Sequence, residues 1–466
     1  MNIFIHHRDL RYIDNTTLIE QTINEGDITP IFIFDPKQID KTVNKYFSNN
    51  LVQFMVESLE NLQNYYKKKQ GCLYTFRGKY ITILDSINKK QSINSIGFNY
   101  DYSPYALSRD NAIINWAKKH NIKTYIFEDM LLHPILTDKI LTKSNEPYQV
   151  FTPFKNELLK RDIRPVNKFK NFVFRKFNIL KTNKYYLSYF HHDNKLFEYN
   201  KNLLVKGGRD WALNRLKNIK KFNKYNANRD KMTYETTLLS SSINFNVVSI
   251  REIYYKIKKT LGNKNNLINE LIWRDFYYNI LYYNPHIIKG SFRKKYDKIK
   301  WSNSLVSKKH FKLWCKGMTG FPLVDACMRQ LNTTGYMHNR GRMIVSSFLI
   351  KNLWIDWRKG EKYFAQNLTD YNISANNGGW QWSSGGGTDA QPYFRIFNVW
   401  TQSKKYDPEC VYIKKWIPEL INVPNKDIHK WYETYNIYTN IKYGAPIVDH
   451  ETTRINAINS YKKYLK

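Results

Sequence analysis

The chain has little of what marks the usual metal, disulfide or membrane site. Its four cysteines, Cys72, Cys315, Cys327 and Cys410, stand far apart in 466 residues, with no CxxC pair and no histidines at zinc spacing. Such spacing excludes a zinc ribbon and a disulfide framework, and leaves reduced structural thiols. No apolar run reaches the length that crosses a bilayer. The best candidate, MIVSSFLIKNLWIDW, is broken by Lys351 and Asp356. The start, MNIFIHHRDLR, lacks the basic and apolar regions of a signal peptide. No repeat of fixed period is visible. A soluble intracellular protein is the expectation.

Acidic residues are also scarce, 39 against 74 Lys and Arg, for a net charge of +35. The deficit is uneven. Residues 1–130 carry 16 basic and 14 acidic side chains; the remainder carries 58 and 25. A basic remainder suits a polyanion, nucleic acid first and an anionic membrane surface second. A coding bias toward Lys, Asn, Ile and Tyr would have made the first 130 residues basic as well.

Length predicts two domains. Over 1–130, short β-rich runs (NIFIH, TPIFIFD, CLYTFRG, SIGFNYDY, TYIFED) alternate with segments of helical length, the pattern of a Rossmann-like, doubly wound parallel sheet. The glycine fingerprint of a dinucleotide site is missing after the first strand, where HHRDLRYIDN stands instead. His6 and His7 read as structural residues at a strand end. Periodicity fades over 131–200, which predicts a connector. Over 201–466 apolar residues recur at three- and four-residue steps, predicting an all-α domain.

What is plentiful is tryptophan, and ten of the twelve fall between Trp273 and Trp431. Asp370–Asn398 reads as a polar, aromatic loop with Trp380 and Trp382 behind a double amide and a double glycine. Turns seldom carry two tryptophans. A flat ligand against this stretch and a helix connection whose indoles plug a core both fit. Glu270 and Trp273, three apart, share a face if helical, and could hydrogen-bond and stack on one base. By periodicity alone an ordinary amphipathic helix with an exposed Glu is the better fit.

NELIWRDFYYNI, TGFPLVDACMRQLNTTGYMHNRGRMIVSSFLIKNLWIDWRKGEKYF and ANNGGWQWSSGGGTDAQPYFRIFN resemble the photolyase/cryptochrome flavoproteins, most of all the class I cyclobutane pyrimidine dimer photolyases. RDLRYIDN, FIFDP and NYDYSPYALSRD are similar to the family's N-terminal domain. The resemblance implies an α/β antenna domain, a connector, and a helical domain that holds FAD. It also implies a light-driven reaction in DNA repair: reduced FAD gives an electron to a pyrimidine dimer, the cyclobutane ring opens, and the electron returns. Such chemistry needs no triad and no metal. It needs a reduced flavin held dry, a slot for a flipped-out lesion, and a basic rim.

By resemblance, Glu270 is the carboxylate that hydrogen-bonds the dimer, and Trp273 and Trp382 are the indoles packed against it. Asn339 and Met343 form the pocket floor; histidines at both positions would mark the (6-4) photolyases. Asn376 matches the amide facing flavin N5. Trp380, Trp357 and Trp301 match an electron-transfer chain from flavin to surface. Arg342 and Asp370 match an ion pair beside the flavin, and Asn372 stands at its ring edge. Tyr225 and the segment Thr236, Thr237, Leu238, Leu239 and Ser240 match the FAD phosphate cradle. Arg274, Arg340, Arg395 and Gln402 match positions near the DNA backbone.

The chain departs from the family in three respects. The cradle's T-S-R-L-S-P pattern has Leu238 for the basic residue and Ser241 for the proline, and Tyr225 lies one residue too close. Asn372 replaces an Asp; its oxygen can still accept a hydrogen bond, but it adds no charge. Ala106 stands where folate-binding members carry Glu, which argues against folate and leaves a deazaflavin, a flavin or no second antenna chromophore. The family precedent implies a monomer acting on damaged double-stranded DNA, in the cytoplasm or the nucleus. A cryptochrome-type blue-light photoreceptor is the alternative; the full lesion set and the lack of a signalling tail favour the enzyme.

Overall fold

The computed structural model describes residues 1–188 and 196–465. The N-terminal part forms the parallel sheet. Strands β1 (Asn2–His6), β2 (Asp27–Phe34), β3 (Tyr74–Arg77), β4 (Ser95–Tyr100) and β5 (Lys123–Glu128) lie in the order β3-β2-β1-β4-β5. Ile3 pairs in register with Thr29 on one side and with Ile96 on the other. The crossovers are helices α1 (Thr16–Glu25), α2 (Asn49–Lys68), α3 (Tyr80–Asn88) and α4 (Pro104–Lys119). Asn15 and Ser48 cap α1 and α2 by accepting from Leu18 N–H and Leu51 N–H, and Pro104 opens α4 with its ring already at a helical φ. The core between sheet and helices is β-branched and aromatic, with Ile3, Ile5, Ile31, Ile33, Phe76, Ile96 and Phe98 fully buried. Strands buried on both faces need continuous apolar runs, and these have them.

At the carboxyl ends of β1 and β4, where ligands of such sheets bind, ion pairs stand in place of a phosphate-binding turn. Arg8 donates to Asp101 at 2.6 Å, and Arg109 donates to Asp110 at 2.7 Å. His6 is held by the Asp9 carbonyl at 2.9 Å and the Tyr66 hydroxyl at 2.6 Å. His7 meets Arg109 at 2.8 Å; its burial, then the Arg109 charge, lowers its pKa well below the usual range. Both histidines are strand-end structural residues. Among the described residues no group of three or more His, Cys, Asp or Glu could hold a metal, and the four cysteines are unpaired.

The chain divides into two compact units. The first comprises Met1–Asn200, Val205–Asn223 and Thr237–Tyr283; the second comprises Lys201–Leu204, Lys224–Thr236 and Asn284–Lys466. The first thus takes in helices as well as the sheet: α5 (Phe151–Leu158), α6 (Arg209–Lys217), α7 (Ile250–Leu261) and α8 (Asn266–Tyr283), with a two-residue strand, β6 (Val173–Phe174), added beside β2. The segment expected as a featureless connector therefore holds a helix and a strand. Phe151 and Phe154 in the helix and Phe174 in the strand are buried aromatics too few per element to give a period.

The second unit is helical. Its main elements are α9 (Leu305–Lys316), α10 (Pro322–Thr334), α11 (Asn339–Ser347), α12 (Trp357–Asn367), α13 (Ile373–Ser384), α14 (Val399–Tyr406) and α15 (His450–Leu465). They enclose Trp314, Phe321, Leu323, Val345, Leu349 and Trp431, all buried. The Asp370–Asn398 stretch, expected as a loop, contains helix α13 over Ile373–Ser384 and is irregular from Gly385 on. Asn372 caps it, its side chain accepting from Ser374 N–H at 3.1 Å and Ala375 N–H at 3.2 Å. The cap and the packing of Trp380 outweigh the poor propensity of Gly378 and Gly379.

Candidate functional site

Helix α8 carries Glu270, Trp273 and Arg274. Its stripe Glu270, Trp273, Tyr277 is half-buried while the opposite side, with Leu271, Asp275 and Tyr278, is buried. The shared face expected for Glu270 and Trp273 is present. Phe151 stacks on Trp273 with ring centroids 3.6 Å apart and planes 5° from parallel, so one indole face is already taken. The ring is fixed before any ligand arrives. Arg274 donates to the Met130 carbonyl at 2.8 Å and lies over the Tyr278 ring at 5.0 Å. It is an anchored cation with little exposure. Asp275 beside it is pushed up to about 7, chiefly by burial, with Arg274 and the amides of Leu132 and His133 opposing.

The cradle segment is divided between the units. In the first, Leu238 has φ +57° and is buried, so the residue in place of the family's basic side chain holds a left-handed backbone turn. The carbonyl of Thr237 accepts from Arg215 at 3.0 Å, and Ser242 Oγ is buried without a partner. In the second unit, Thr236 Oγ1 lies 2.8 Å from the Tyr336 hydroxyl, and Tyr225 is buried.

In the second unit α11, α12 and α13 bring most of the remaining residues together. Arg342 donates to both carboxylate oxygens of Asp370, at 3.1 and 2.9 Å, and its Nε donates to the Met337 carbonyl at 2.9 Å. Burial alone would lower its pKa, but the Asp370 pair outweighs this and raises it. Asn339 is exposed and its amide approaches Met343 Sδ at 3.9 Å. Asn376 donates through Nδ2 to the carbonyl and the Oε1 of Glu361, at 3.1 and 3.0 Å. Two acceptors on one side fix which way the amide points. Glu361 is 5 % exposed, and nothing in the sequence motif singled it out. Asn372 departs from expectation. Its oxygen is committed to the α13 cap and to Ser374 Oγ at 2.6 Å, so it is not the acceptor available to a ring edge.

The three expected electron-transfer tryptophans differ in setting. Trp380 and Trp357 are each 2 % exposed. Trp380 packs edge-on against Phe364 at 5.0 Å and Trp314 at 6.1 Å. Half-buried Trp301 lies 5.0 Å from Trp354. Trp382 is half-buried. Among the expected DNA contacts, Arg340 spends its charge on Asp230 at 2.8 Å and on the Tyr406 ring at 4.5 Å. Arg395 is exposed, and Gln402 Oε1 has no partner.

Residues 2–170 match the family model described as DNA photolyase, and residues 267–463 that of the FAD binding domain of DNA photolyase. The deoxyribodipyrimidine photo-lyase of Buchnera aphidicola subsp. Acyrthosiphon pisum (strain APS) is 36 % identical, covering 99 % of this chain and 97 % of that one. The chain belongs to the DNA photolyase family. Two solved structures extend the photolyase likeness to the fold. The archaeal photolyase from Sulfolobus tokodaii, solved with two FAD molecules, has a TM-score of 0.85 at 35 % identity, covering 99 % of this chain and 100 % of that one. The cryptochrome of Synechocystis sp. PCC6803 has a TM-score of 0.88 at 26 % identity, covering 98 % of each chain. The α/β sheet followed by helices is the architecture of both. FAD is the cofactor of the matched domain, and the donor set fits it: Asn376 offers an oriented oxygen, and Arg342 with Asp370 a fixed ion pair. No helix among the described residues is long and apolar enough to cross a membrane.

Proposed function

We propose that this chain is a deoxyribodipyrimidine photo-lyase, which under blue or near-ultraviolet light splits cyclobutane pyrimidine dimers in double-stranded DNA, taking the dimer flipped out of the stack and acting as a monomer. The observation that carries the reading is the Asn376 amide. Glu361 consumes its N–H donors, so its oxygen is the group left to face a ligand. An acceptor there suits the N–H that reduced flavin bears at N5. When bound and reduced, FAD supplies on absorbing light the electron that opens the cyclobutane ring.

The protein's own residues do the rest. Arg342, locked by Asp370, would hold a cation beside bound FAD, and Asn372 would stand near it with its oxygen kept by the α13 cap. Tyr225, Thr236, Thr237, Leu238, Leu239 and Ser240 hold the phosphates, Leu238 by its backbone turn. Glu270 hydrogen-bonds the dimer; Trp273, Trp382, Asn339 and Met343 exclude water around it. Trp380, Trp357 and Trp301 pass electrons inward. Of these four, Arg395 is the exposed cation offered to the DNA backbone, while Arg274, Arg340 and Gln402 bring smaller contributions because their groups are tied or neutral. The functional division proposed is an antenna domain over 1–130, a connector over 131–200 and a catalytic domain over 201–466. The second chromophore is a deazaflavin, a flavin or none; Ala106, buried in α4, offers no carboxylate to folate.

The test is repair of a thymine-dimer oligonucleotide under blue light, with a dark control. Light-dependent loss of the dimer is expected; no repair with fully reduced flavin overturns the reading. Likeness to the Synechocystis cryptochrome favours the second reading, a photoreceptor, which expects flavin photochemistry without repair.

A further inference from the structure

Between α11 and α12 the chain makes a π turn over Phe348–Asn352, in which Leu353 N–H reaches back five residues to the Phe348 carbonyl at 3.1 Å. Such turns insert one extra residue and are frequent at functional sites. Within it, Lys351 is 2 % exposed. Burial lowers its ammonium to about 8, which leaves it mostly charged at neutral pH. Among the described residues no carboxylate pairs with it. Its Nζ donates at 2.8 Å to the backbone carbonyl of Arg395. A buried cation without a counter-charge is costly, so this contact calls for a function.

The carbonyl it holds belongs to the turn after α13. Arg395 N–H donates to the Pro392 carbonyl at 3.0 Å, and the Arg395 side chain points into solvent. On one side Tyr393 stacks on Tyr461 at 5.3 Å; on the other Phe397 packs on the helical core and Asn398 caps α14. Aromatic anchors thus flank the turn, and the Lys351 ammonium holds its last residue from inside.

We propose that Lys351 is a positioning residue for DNA binding: by clamping the Arg395 carbonyl it aims the Arg395 guanidinium at a DNA phosphate. The inference rests on the reading of Arg395 as a backbone contact. An ammonium is stronger than a neutral donor for this purpose, since charge-assisted hydrogen bonds are roughly twice as strong as neutral ones.

The test is a cycle of full-length wild type, Lys351→Met, Arg395→Gln and the double variant, titrated with undamaged duplex at several salt concentrations. Each single variant is expected to weaken binding about three- to tenfold and to lower the salt slope by about 0.9, the share of one phosphate. The double variant is expected to bind no more weakly than Arg395→Gln, since Lys351 acts only through it. Unfolding of Lys351→Met should show no loss of stability, because methionine fills the volume without a buried charge. If Arg395→Gln weakens binding and Lys351→Met does not, or if the two effects add, the clamp is overturned. If Arg395→Gln itself changes nothing, the DNA role of Arg395 falls and takes the clamp with it. Should the methionine variant not fold, Lys351→Gln with trypsin reads the same clamp. Faster cutting after Arg395 than in wild type is expected, and unchanged cutting overturns the proposal.

Discussion

Asp275 shows how far a single side chain in this fold is held from its ordinary state. Its carboxyl is buried, accepts from Leu132 N–H at 2.8 Å, and is pushed up to about 7 from 3.8, chiefly by desolvation. The folded chain therefore binds a proton that the unfolded chain has released above pH 4. Stability falls as pH rises from about 4 through about 7, and the deficit is complete above that. Asp275→Asn keeps an acceptor for the Leu132 amide and removes the titration. We expect the variant to gain on wild type by on the order of 2–4 kcal/mol between pH 5 and pH 8. Denaturant unfolding at a series of pH values checks this, and parallel curves would refute it. Glu270, half-buried on the same helix, is expected to act on the substrate and not on stability. Glu270→Ala should leave flavin bound and stability nearly unchanged while lowering the yield of repair per photon; equal quantum yields would contradict its role. Asn372 supplies the third case. Asn372→Asp keeps the α13 cap and adds a negative charge at a helix N-terminus, which is favourable. If the ring edge lies beside it, that charge moves the flavin midpoint negative, as redox titration of both forms would show.

At the level of elements, the strands and crossovers of the sheet were legible because β-branched runs and turn residues act locally. The helices of the second unit were legible from their period. Helix α13 was not. Gly378, Gly379, Asn376 and Asn377 weaken the local helical signal, and what makes the helix is a cap plus tertiary packing. The same holds for the site. Glu270 and Trp273 could be placed on one face by spacing, but their roles came from resemblance to a family. Phe151 on Trp273, Glu361 behind Asn376 and Lys351 under Arg395 are partners far apart in sequence, which no spacing rule reaches. Packing between α12 and α13 gives a test of that point. A Cβ at Gly360 would overlap the Trp380 ring and the Leu349 side chain. Gly360→Ala is expected to cost about 1–3 kcal/mol, despite alanine's better helix propensity, because the indole cannot move within a close-packed core. An unchanged unfolding midpoint would show that the α12–α13 contact yields.

For the whole molecule, charge and lesion recognition separate. Most of the excess charge follows residue 130, where 58 basic side chains meet 25 acidic ones. That excess attracts any DNA, damaged or not, by releasing counterions. The side chains proposed for the dimer are of another kind. Trp273, Trp382, Asn339 and Met343 are neutral, and Glu270 is an anion that gains nothing from phosphates. Discrimination should therefore come from stacking, hydrogen bonding and the lower cost of flipping a base already distorted by damage. It follows that affinity for undamaged duplex falls steeply with salt, by roughly 10³ between 50 and 200 mM if about six phosphates are neutralised. Affinity for a duplex with one dimer should fall along a parallel line, displaced by a constant factor. Binding isotherms of the full chain on the two duplexes, at four or more salt concentrations, measure both slopes. Parallel lines assign the ion contacts to the duplex and the selectivity to the side chains proposed for the dimer. A shallower line for the damaged duplex would mean that phosphate contacts are given up on flipping, and that the basic surface takes part in recognition itself.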